Sequence, residues 1–307
     1  MIKLRYHLVD VFTDRQFGGN PLAVFTNVRG ISAETMQAIA KELNLSETTF
    51  VLPPKDARND YHVRIFTPGQ ELPMAGHPTV GTTYVLARER MITRGADSTE
   101  TEIKLEEGVG TIPVRIEWSG GEARFIEMRQ PRPTFGPRVE DLRAVAEMLS
   151  VEPEEIAETN LPLEVVSCGV PFLYVPLNSL RAVQNIKFRV DVWESKLKTV
   201  VPPEVFVFTR EVEFAGSTVH SRMFAPDLGI WEDPATGGAS GPLGCYLVRY
   251  GVVSGEGWIE ITSEQGIEMG RPSFIKIRIA REGEEITDVR VGGECRFMGE
   301  GYLEIED

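Results

Sequence analysis

The sequence predicts an α+β protein of two similar domains, each a mixed β-sheet or barrel wrapped around a central helix. Three observations lead to this prediction. Short strand-like segments outnumber helical ones, part of the chain repeats internally, and each copy of the repeat ends in a helix that is apolar on most sides. The 307 residues suffice for two hydrophobic cores, since domains typically contain about 100–150 residues.

The first half opens with a predicted hairpin. Leu4 to Val11 and Pro21 to Phe25 are strand-like, and Gly18-Gly19-Asn20-Pro21 between them favours a turn. A helix capped by Ser32 follows and ends near Asn44, because apolar residues recur there at helical spacing. Further strands are expected at Thr48 to Leu52, Tyr61 to Phe66, Ile103 to Leu105, Thr111 to Trp118 and Ala123 to Met128.

A proline-rich stretch near the midpoint, Gln130 to Pro137, is interpreted as a linker, because proline resists both helices and central strands. The expected domains are therefore 1–129 and 130–307, with the last strand able to return to the first domain. The second half is expected to contain helices at Val139 to Leu149 and Val190 to Thr199, and strands at Leu163 to Ser167, Val205 to Phe208, Thr218 to Phe224, Trp258 to Thr262, Phe274 to Ala280, Ile286 to Gly292 and Glu294 to Ile305.

The internal repeat combines a strand, a glycine-bearing turn and a helix. Arg64-Ile65-Phe66-Thr67-Pro68 aligns with Arg222-Met223-Phe224-Ala225-Pro226, and Glu71 to His77 aligns with Glu232 to Gly238. The helices that follow keep the same register and carry apolar side chains on most sides, which indicates that a sheet encloses each of them.

The turn in each copy predicts a helix start that binds an anion. Pro78 is expected at the first helical position with His77 as its cap, and Gly237-Gly238-Ala239 opens the second helix with almost no side chain over its free N–H groups. Free N–H groups and the helix dipole both favour a carboxylate. Ordinary turn chemistry explains either turn alone, but their matching places in a repeat favour a function.

Composition disfavours several classes of protein. The formal net charge of −14 disfavours nucleic acid as a partner. No apolar run is long enough to span a membrane, and Met1 to Tyr6 lacks the apolar core of a signal peptide, so a cytoplasmic protein is expected. The four histidines lack metal-binding spacing, so no metal site is expected. The three cysteines, which are widely spaced, are expected to be reduced and buried: Cys168, Cys245 and Cys295.

Three side chains near the repeated turns are able to move protons: Glu47, His77 and Asp233. Glu47 begins a strand whose later residues are apolar, and partial loss of hydration suits a carboxylate for general acid–base work. Each of the three also has an ordinary structural alternative, namely a solvated loop glutamate, a helix cap and a turn-opening Asp-Pro pair. None of them identifies a catalyst in isolation.

The chain resembles the PhzF family of phenazine-biosynthesis proteins over about residues 8–90 and 220–247. No single motif is specific, but the ordered set is. The motifs are Asp10-Val11-Phe12, Gly18 to Val24, Asn44 to Phe50, Gly76 to Gly81 and Glu232 to Gly237.

This resemblance implies a diaminopimelate-epimerase-like fold with the active site between two α+β halves, and no cofactor. It implies that Glu47 shuttles a proton between carbons of a dihydro-hydroxyanthranilate-like ring, that His77 lies beside this small carboxylate substrate, and that Asp233 matches the family's aspartate. It also suggests a homodimer. The expected substrate-binding residues are Ser46, Gly76, Thr236, Gly237 and Gly238.

At two places this chain has different residues from related proteins, and these differences narrow the range of expected activities. Epimerases and racemases of the same fold use one cysteine from each half, and the corresponding positions here are Ala75 and Thr236, which disfavours a two-thiol racemase. The family's phenazine enzyme has a serine where this chain has Gly238. One hydrogen bond to the substrate is then missing, so the substrate is expected to differ.

The leading hypothesis is an isomerase similar to trans-2,3-dihydro-3-hydroxyanthranilate isomerase, in which Glu47 both removes and returns the proton. One alternative is a non-catalytic metabolite-binding protein, which Gly238 favours but the presence of Glu47, His77 and Asp233 together disfavours. Another is an amino-acid racemase that uses Cys245, although a place inside a helix indicates packing. The residues alone name neither the substrate nor the oligomeric state.

Overall fold

The computed structural model describes residues 1–28, 30–95, 98–199, 202 and 204–306. The chain divides into two compact units. Unit one comprises Met1–Arg129 and Arg290–Asp307, and unit two comprises Gln130–Val289. Across the described residues, no helix combines the length and the apolar character needed to cross a membrane.

The first part of the chain supplies most of unit one. Its elements are β1 (Ile2–Val11), β2 (Asn20–Phe25), α1 (Ala33–Leu43), β3 (Glu47–Leu52), β4 (Tyr61–Phe66), β5 (Glu71–Leu72), α2 (Gly76–Arg88), β6 (Glu100–Glu107), β7 (Gly110–Ser119) and β8 (Glu122–Gln130).

The next part supplies unit two, and the chain then returns to unit one. Its helices are α3 (Leu142–Leu149), α4 (Pro153–Ala157), α5 (Leu180–Gln184), α6 (Val190–Val192) and α7 (Gly237–Arg249). Its strands are β9 (Thr134–Arg138), β10 (Glu164–Ser167), β11 (Pro171–Pro176), β12 (Val205–Thr209), β13 (Val219–Ala225), β14 (Ile230–Asp233), β15 (Gly257–Gln265), β16 (Ser273–Glu282) and β17 (Glu285–Gly293). The residues of β17 from Arg290 onward already belong to unit one, where β18 (Cys295–Ile305) follows.

Unit one is a mixed sheet around α2. β1 pairs antiparallel with β2 and β18, β2 runs parallel to β3, and β4 runs parallel to β6, which begins an antiparallel meander through β7 to β8. Every residue of α2 from Gly76 to Ala87 is buried except Tyr84. Because burial on nearly all sides requires apolar or small residues all round, the helix has no polar face.

Unit two repeats this plan around α7. β13 pairs antiparallel with β12 and β14 and parallel with β15, and β15 continues antiparallel to β16. All residues of α7 from Gly237 to Val248 are buried. The shorter helices of this unit pack on a second apolar core, in which Trp193 is almost fully buried. The predicted α+β class, with a mixed sheet wrapped around a central helix in each half, is confirmed.

Two expectations about individual elements were wrong. Part of the proline-rich stretch interpreted as a linker forms β9, which pairs with β10; proline is tolerated in strands where its missing N–H is not needed for the ladder. The helix expected from Val190 to Thr199 is only the short α6, followed by a π-helical turn from Trp193 to Leu197. That turn buries both Trp193 and Leu197.

Gly81 allows α2 to lie directly against the first hairpin, and its replacement tests this packing. A Cβ at Gly81 would lie 2.6 Å from Leu22 Cδ2 and 2.7 Å from Val11 Cγ2. We expect Gly81→Ala to lower the free energy of unfolding by about 1–3 kcal/mol, as overpacking typically does. Gly299→Ala is the control, because among the described residues no atom beyond its chain neighbours lies within 4 Å of its added Cβ. Equal denaturation midpoints for the two variants would contradict this account.

Candidate active site

The start of α2 carries the first group of candidate residues. Ala75 is the N-cap in an extended conformation, Gly76 is the first helical residue, and His77 is the second. The expectation that His77 caps the helix and that Pro78 is its first residue was therefore wrong. All residues of the first turn lack an intrahelical partner for their N–H groups, so proline fits several of these positions and does not mark the first one.

The structure brings Glu47 and His77 together within unit one. Glu47 is the first residue of β3, and Ser46 precedes that strand in a half-buried position. Glu47 Oε2 lies 3.3 Å from His77 Nε2, with 10% of the Glu47 side chain and 3% of the His77 side chain exposed. A small rotation of the carboxylate at this distance completes a hydrogen bond. The pair is therefore a nearly dry carboxylate and imidazole.

Asn20 determines which nitrogen of His77 carries the proton. The Asn20 side-chain amide donates to His77 Nδ1 at 3.0 Å, so Nδ1 is the acceptor and the proton of the neutral ring is on Nε2, facing Glu47. Burial lowers the pKa of the His77 imidazole to about 3. His77 is thus a neutral N–H donor beside the Glu47 carboxylate.

The loop before β2 places Asn20 in this position. The Asp10 carboxylate accepts a hydrogen bond from the Phe17 backbone N–H at 2.9 Å, which closes the loop. Gly19 has a φ of +63°, and a Cβ there would lie 2.3 Å from the carbonyl oxygen of Val11. Only glycine fits such a position. The sequence predicted this segment as a turn, but Asn20 was not expected to contact His77.

The start of α7 carries the second group of candidates, in unit two. Asp233 ends β14, Thr236 is the N-cap, and Gly237 and Gly238 are the first two helical residues. Thr236 Oγ1 donates to Asp233 Oδ2 at 2.6 Å. The carboxylate of Asp233 is thereby oriented by the cap residue of the helix that it precedes.

Gln265 holds this second turn and was missed by sequence reasoning. Its Nε2 donates to the Asp233 carbonyl oxygen at 2.7 Å and to Thr236 Oγ1 at 3.0 Å, and its Oε1 accepts from the Thr236 N–H at 3.0 Å. The parallel pairing of β13 with β15 brings Gln265 to this place. Because that pairing is between distant segments, no local pattern signals it.

The cysteines do not supply an acid–base thiol near these helix starts. All three are buried and form no disulfide, although Cys168 Sγ and Cys245 Sγ lie 4.0 Å apart. Cys245 lies inside α7, and burial raises the pKa of its thiol well above the usual value. A thiol that stays protonated is a poor base. The racemase alternative based on Cys245 therefore has no support in its surroundings.

One cluster in unit one has the side chains to bind a metal ion. His7, Glu89 and Glu300 each direct a ligand atom to within 4.8 Å of the others. Arg5 pairs with Glu89 at 3.0 Å and also with Glu300. The guanidinium therefore already compensates both carboxylates. Glu89 follows the last residue of α2, at the opposite end of this helix from His77.

Comparison with known proteins identifies the relatives of this chain. The sequence profile described as Phenazine biosynthesis-like protein, PhzC-PhzF, matches residues 9–301. The trans-2,3-dihydro-3-hydroxyanthranilate isomerase of Pseudomonas aeruginosa is 36% identical over 97% of this chain and 98% of its own length. An uncharacterized isomerase of Mesorhizobium japonicum is 35% identical over 97% and 98% of the two chains.

A solved structure shows the same fold. The crystal structure of a PhzF-family phenazine biosynthesis protein from Bacillus anthracis is 27% identical and has a TM-score of 0.88. It covers 99% of this chain and 100% of its own. The agreement therefore extends over both units and is not confined to the motifs near Glu47 and Asp233.

Proposed function

The chain belongs to the PhzF family of isomerases, and on this premise we propose that it moves a proton between two carbons of a small cyclic or unsaturated carboxylic acid without a cofactor. The observation that carries the proposal is the buried Glu47 carboxylate, 3.3 Å from the Nε2 of a neutral His77. A carboxylate with little water around it is suited to remove a C–H proton made acidic by a neighbouring unsaturated group.

Glu47 performs both steps in this mechanism. The carboxylate takes a proton from one carbon, and the electron pair of the broken C–H bond shifts the double bond along the substrate. Glu47, now the acid, returns the proton to the carbon where the electron pair arrives. The substrate gains and loses one proton, so no external acid, oxidant or reductant is needed.

Neutral His77 supports this cycle as a hydrogen-bond donor. An imidazolium beside Glu47 would stabilise the carboxylate and oppose its protonation, whereas a neutral N–H donor interacts with both the carboxylate and the acid. The Asn20 contact and the burial of the ring keep His77 in this form. Since the same residue must act first as base and then as acid, a neutral neighbour suits the reaction.

The helix starts are proposed to bind the substrate carboxylate and to stabilise the negative charge that develops during proton transfer. Gly76, Gly237 and Gly238 are the glycines that open α2 and α7, and the N-cap side chains of Ala75 and Thr236 make no capping hydrogen bond to these helix starts. Fixed N–H donors stabilise developing negative charge without reorganisation. Asp233, held by Thr236, is proposed to orient a polar substituent of the substrate.

The substrate is proposed to be a relative of the acid named for the Pseudomonas aeruginosa isomerase. Gly238 provides no hydroxyl where the family's phenazine enzyme has a serine. An acid without the group that this serine would bind is therefore favoured, because an unpaired polar group in a closed site costs about 1–3 kcal/mol.

The test is to incubate the enzyme in heavy water with trans-2,3-dihydro-3-hydroxyanthranilate and a panel of related unsaturated and amino carboxylic acids. We expect at least one acid to undergo a double-bond shift, seen by NMR, with solvent deuterium at the newly protonated carbon in the part of the product for which Glu47 exchanged its proton before returning it. The methyl ester of the same acid is the control and should react at least about 10-fold more slowly. Binding without any double-bond shift or C–H exchange across the panel would instead favour the metabolite-binding alternative.

A further inference from the structure

The two units place different side chains at equivalent positions beside their helix starts. In each unit, two parallel strands pair a histidine with a glutamate: His62 with Glu106 on β4 and β6, and His220 with Glu264 on β13 and β15. The residue that follows this glutamate is Glu107 in unit one and Gln265 in unit two. Strand register therefore makes Glu107 the counterpart of Gln265.

The neighbouring contacts repeat as well. Gly108 and Gly266, which come next, both approach the proline of the preceding turn, with added Cβ atoms 2.9 Å from the Pro73 carbonyl oxygen and 2.5 Å from that of Pro234. In unit one β6 therefore ends against the turn that leads into α2, and in unit two β15 ends against the turn that leads into α7. Glu107 and Gln265 occupy the same structural position.

Glu107 is linked to the turn before α2 through the hydroxyl group of Thr79, which also contacts the Ala75 carbonyl oxygen. Thr79 Oγ1 lies 2.6 Å from the carbonyl oxygen of Ala75, the N-cap of α2, and 2.5 Å from Glu107 Oε1. Ser240 of α7 makes the equivalent bond to the Thr236 carbonyl oxygen at 2.8 Å. A hydroxyl has one proton, and a carbonyl oxygen only accepts. The hydroxyl can give its one proton to either oxygen but not to both, so the two short contacts are both hydrogen bonds only when Glu107 is itself protonated and donates to Thr79.

The surroundings of Glu107 favour this neutral form. The side chain is buried, and burial raises its pKa to about 8. In the part of the chain that the structure describes, no cation lies within ion-pair distance of it, and its Oε2 has no hydrogen-bond partner. β7 places the uncharged Gly110 opposite it. The elements next to Glu107 carry the titratable residues His77 on α2, His62 and Arg64 on β4 and Glu106 on β6 itself.

Those neighbours are engaged elsewhere. Arg64 makes two hydrogen bonds to Glu71 at 2.7 and 2.6 Å. Glu106 accepts from the backbone N–H groups of Lys55 and Asp56 at 2.9 and 3.0 Å. Burial lowers the pKa of His77 to about 3, so its ring is neutral. Partial burial also lowers the pKa of His62, which disfavours its charged form, and Glu106 is itself acidic, so none of these groups compensates a charge on Glu107.

We infer that Glu107 is a positioning residue that acts as a neutral carboxylic acid and holds the turn before α2, as the carboxamide of Gln265 holds the turn before α7. The inference rests on the proposed function, because these turns carry Gly76 with His77 and Asp233 with Thr236. A carboxylic acid and a carboxamide have nearly the same shape and both donate and accept. The two side chains should therefore be exchangeable, whereas an ionised Glu107 has no proton to donate to Thr79.

The first test compares kcat/KM between about pH 6 and pH 10 for wild type and four variants. Glu107→Leu should lower kcat/KM about 10- to 100-fold by misplacing the turn, and Glu107→Gln should restore it. Wild type should lose activity above about pH 8, while Glu107→Gln should not. Gln265→Glu should lose more of its kcat/KM at alkaline pH than wild type does. Glu102→Gln changes an exposed residue on the same strand as Glu107 and should match wild type. A folded Glu107→Gln enzyme with the wild-type alkaline loss would overturn the inference.

The second test needs no substrate. A carboxyl whose pKa is raised in the folded state stabilises the protein below its unfolded pKa, and this stability is lost as pH rises to the folded value. The free energy of unfolding of wild type should therefore fall relative to Glu107→Gln between about pH 4 and pH 8. If the difference in free energy of unfolding between wild type and Glu107→Gln does not change with pH, Glu107 is not the neutral acid that we infer. This readout stays valid if no acid is isomerised, so the inference and the proposed function fail separately.

Discussion

Replacing Glu47 by glutamine is expected to lower kcat by about 10²- to 10⁴-fold, the range typical of a general acid–base residue. The amide keeps the shape of the side chain and can still accept a hydrogen bond from His77, but it does not take up a proton at neutral pH. KM should change much less than kcat, because the change removes a group that acts in the transition state. Steady-state kinetics on the acid identified from the panel measures both.

The matched control is Glu42→Gln, an exposed glutamate on α1 of the same unit, which should leave kcat unchanged. Glu47→Asp adds a graded comparison, because it keeps the carboxylate but withdraws it from His77 by one methylene group. Its kcat is expected between those of wild type and Glu47→Gln. A Glu47→Gln enzyme with wild-type kcat would show that another group moves the proton.

Asp233→Asn is expected to lower kcat/KM by about 10²-fold, comparable to the loss of one fixed charge-stabilising group. The Asp233 carboxylate accepts from Thr236 Oγ1, which itself accepts from Gln265 Nε2. An asparagine amide can still accept from Thr236 Oγ1 through its carbonyl oxygen, so the position of the side chain is kept. What the variant loses is the negative charge that is proposed to orient a polar substituent of the substrate.

The control for this variant is Asp227→Asn, an exposed aspartate of the same unit that pairs with Lys198 at 3.0 Å. We expect it to change kcat/KM by less than about twofold, since surface ion pairs contribute little. Circular dichroism and thermal unfolding of both variants separate a local effect from a loss of fold. Equal activity of the two variants would remove Asp233 from the proposed site.

The fold was predictable because its signals are local and occur twice. The strand-like segments and the apolar helices each show a period that follows from backbone geometry. The alignment of Arg64 to Pro68 with Arg222 to Pro226 indicated the repeat, and the structure adds bidentate contacts from Arg64 to Glu71 and from Arg222 to Glu232. These arginines tie each strand to the turn that follows it.

The site was only partly predictable because it depends on contacts between distant segments. Nothing in the pattern around residue 47 places Glu47 beside His77; the parallel pairing of β2 with β3 and the packing of α2 do so. Asn20 and Gln265 were missed for the same reason. Each is a polar residue at a strand end, and its partner becomes apparent only when the strands are paired.

The helix-cap error has a related cause. Sequence reasoning placed the cap at His77 because histidine followed by proline is compatible with a helix start. The extended backbone of Ala75 instead moves the start back to Gly76. This change has a consequence for function, since it turns His77 from a residue outside the helix into one whose ring is held between Asn20 and Glu47.

The central claim, that one carboxyl group removes the proton and returns it, is tested most directly by isotope transfer within the substrate. The substrate is labelled with deuterium at the carbon that loses the proton, and a single turnover in ordinary water is analysed by mass spectrometry. Because the Glu47 side chain is only 10% exposed, we expect its exchange with water to be incomplete within one turnover, and part of the first product should carry deuterium at the newly protonated carbon. Product with no deuterium there, even at the earliest time, would show that a second group supplies the returning proton and would contradict the account.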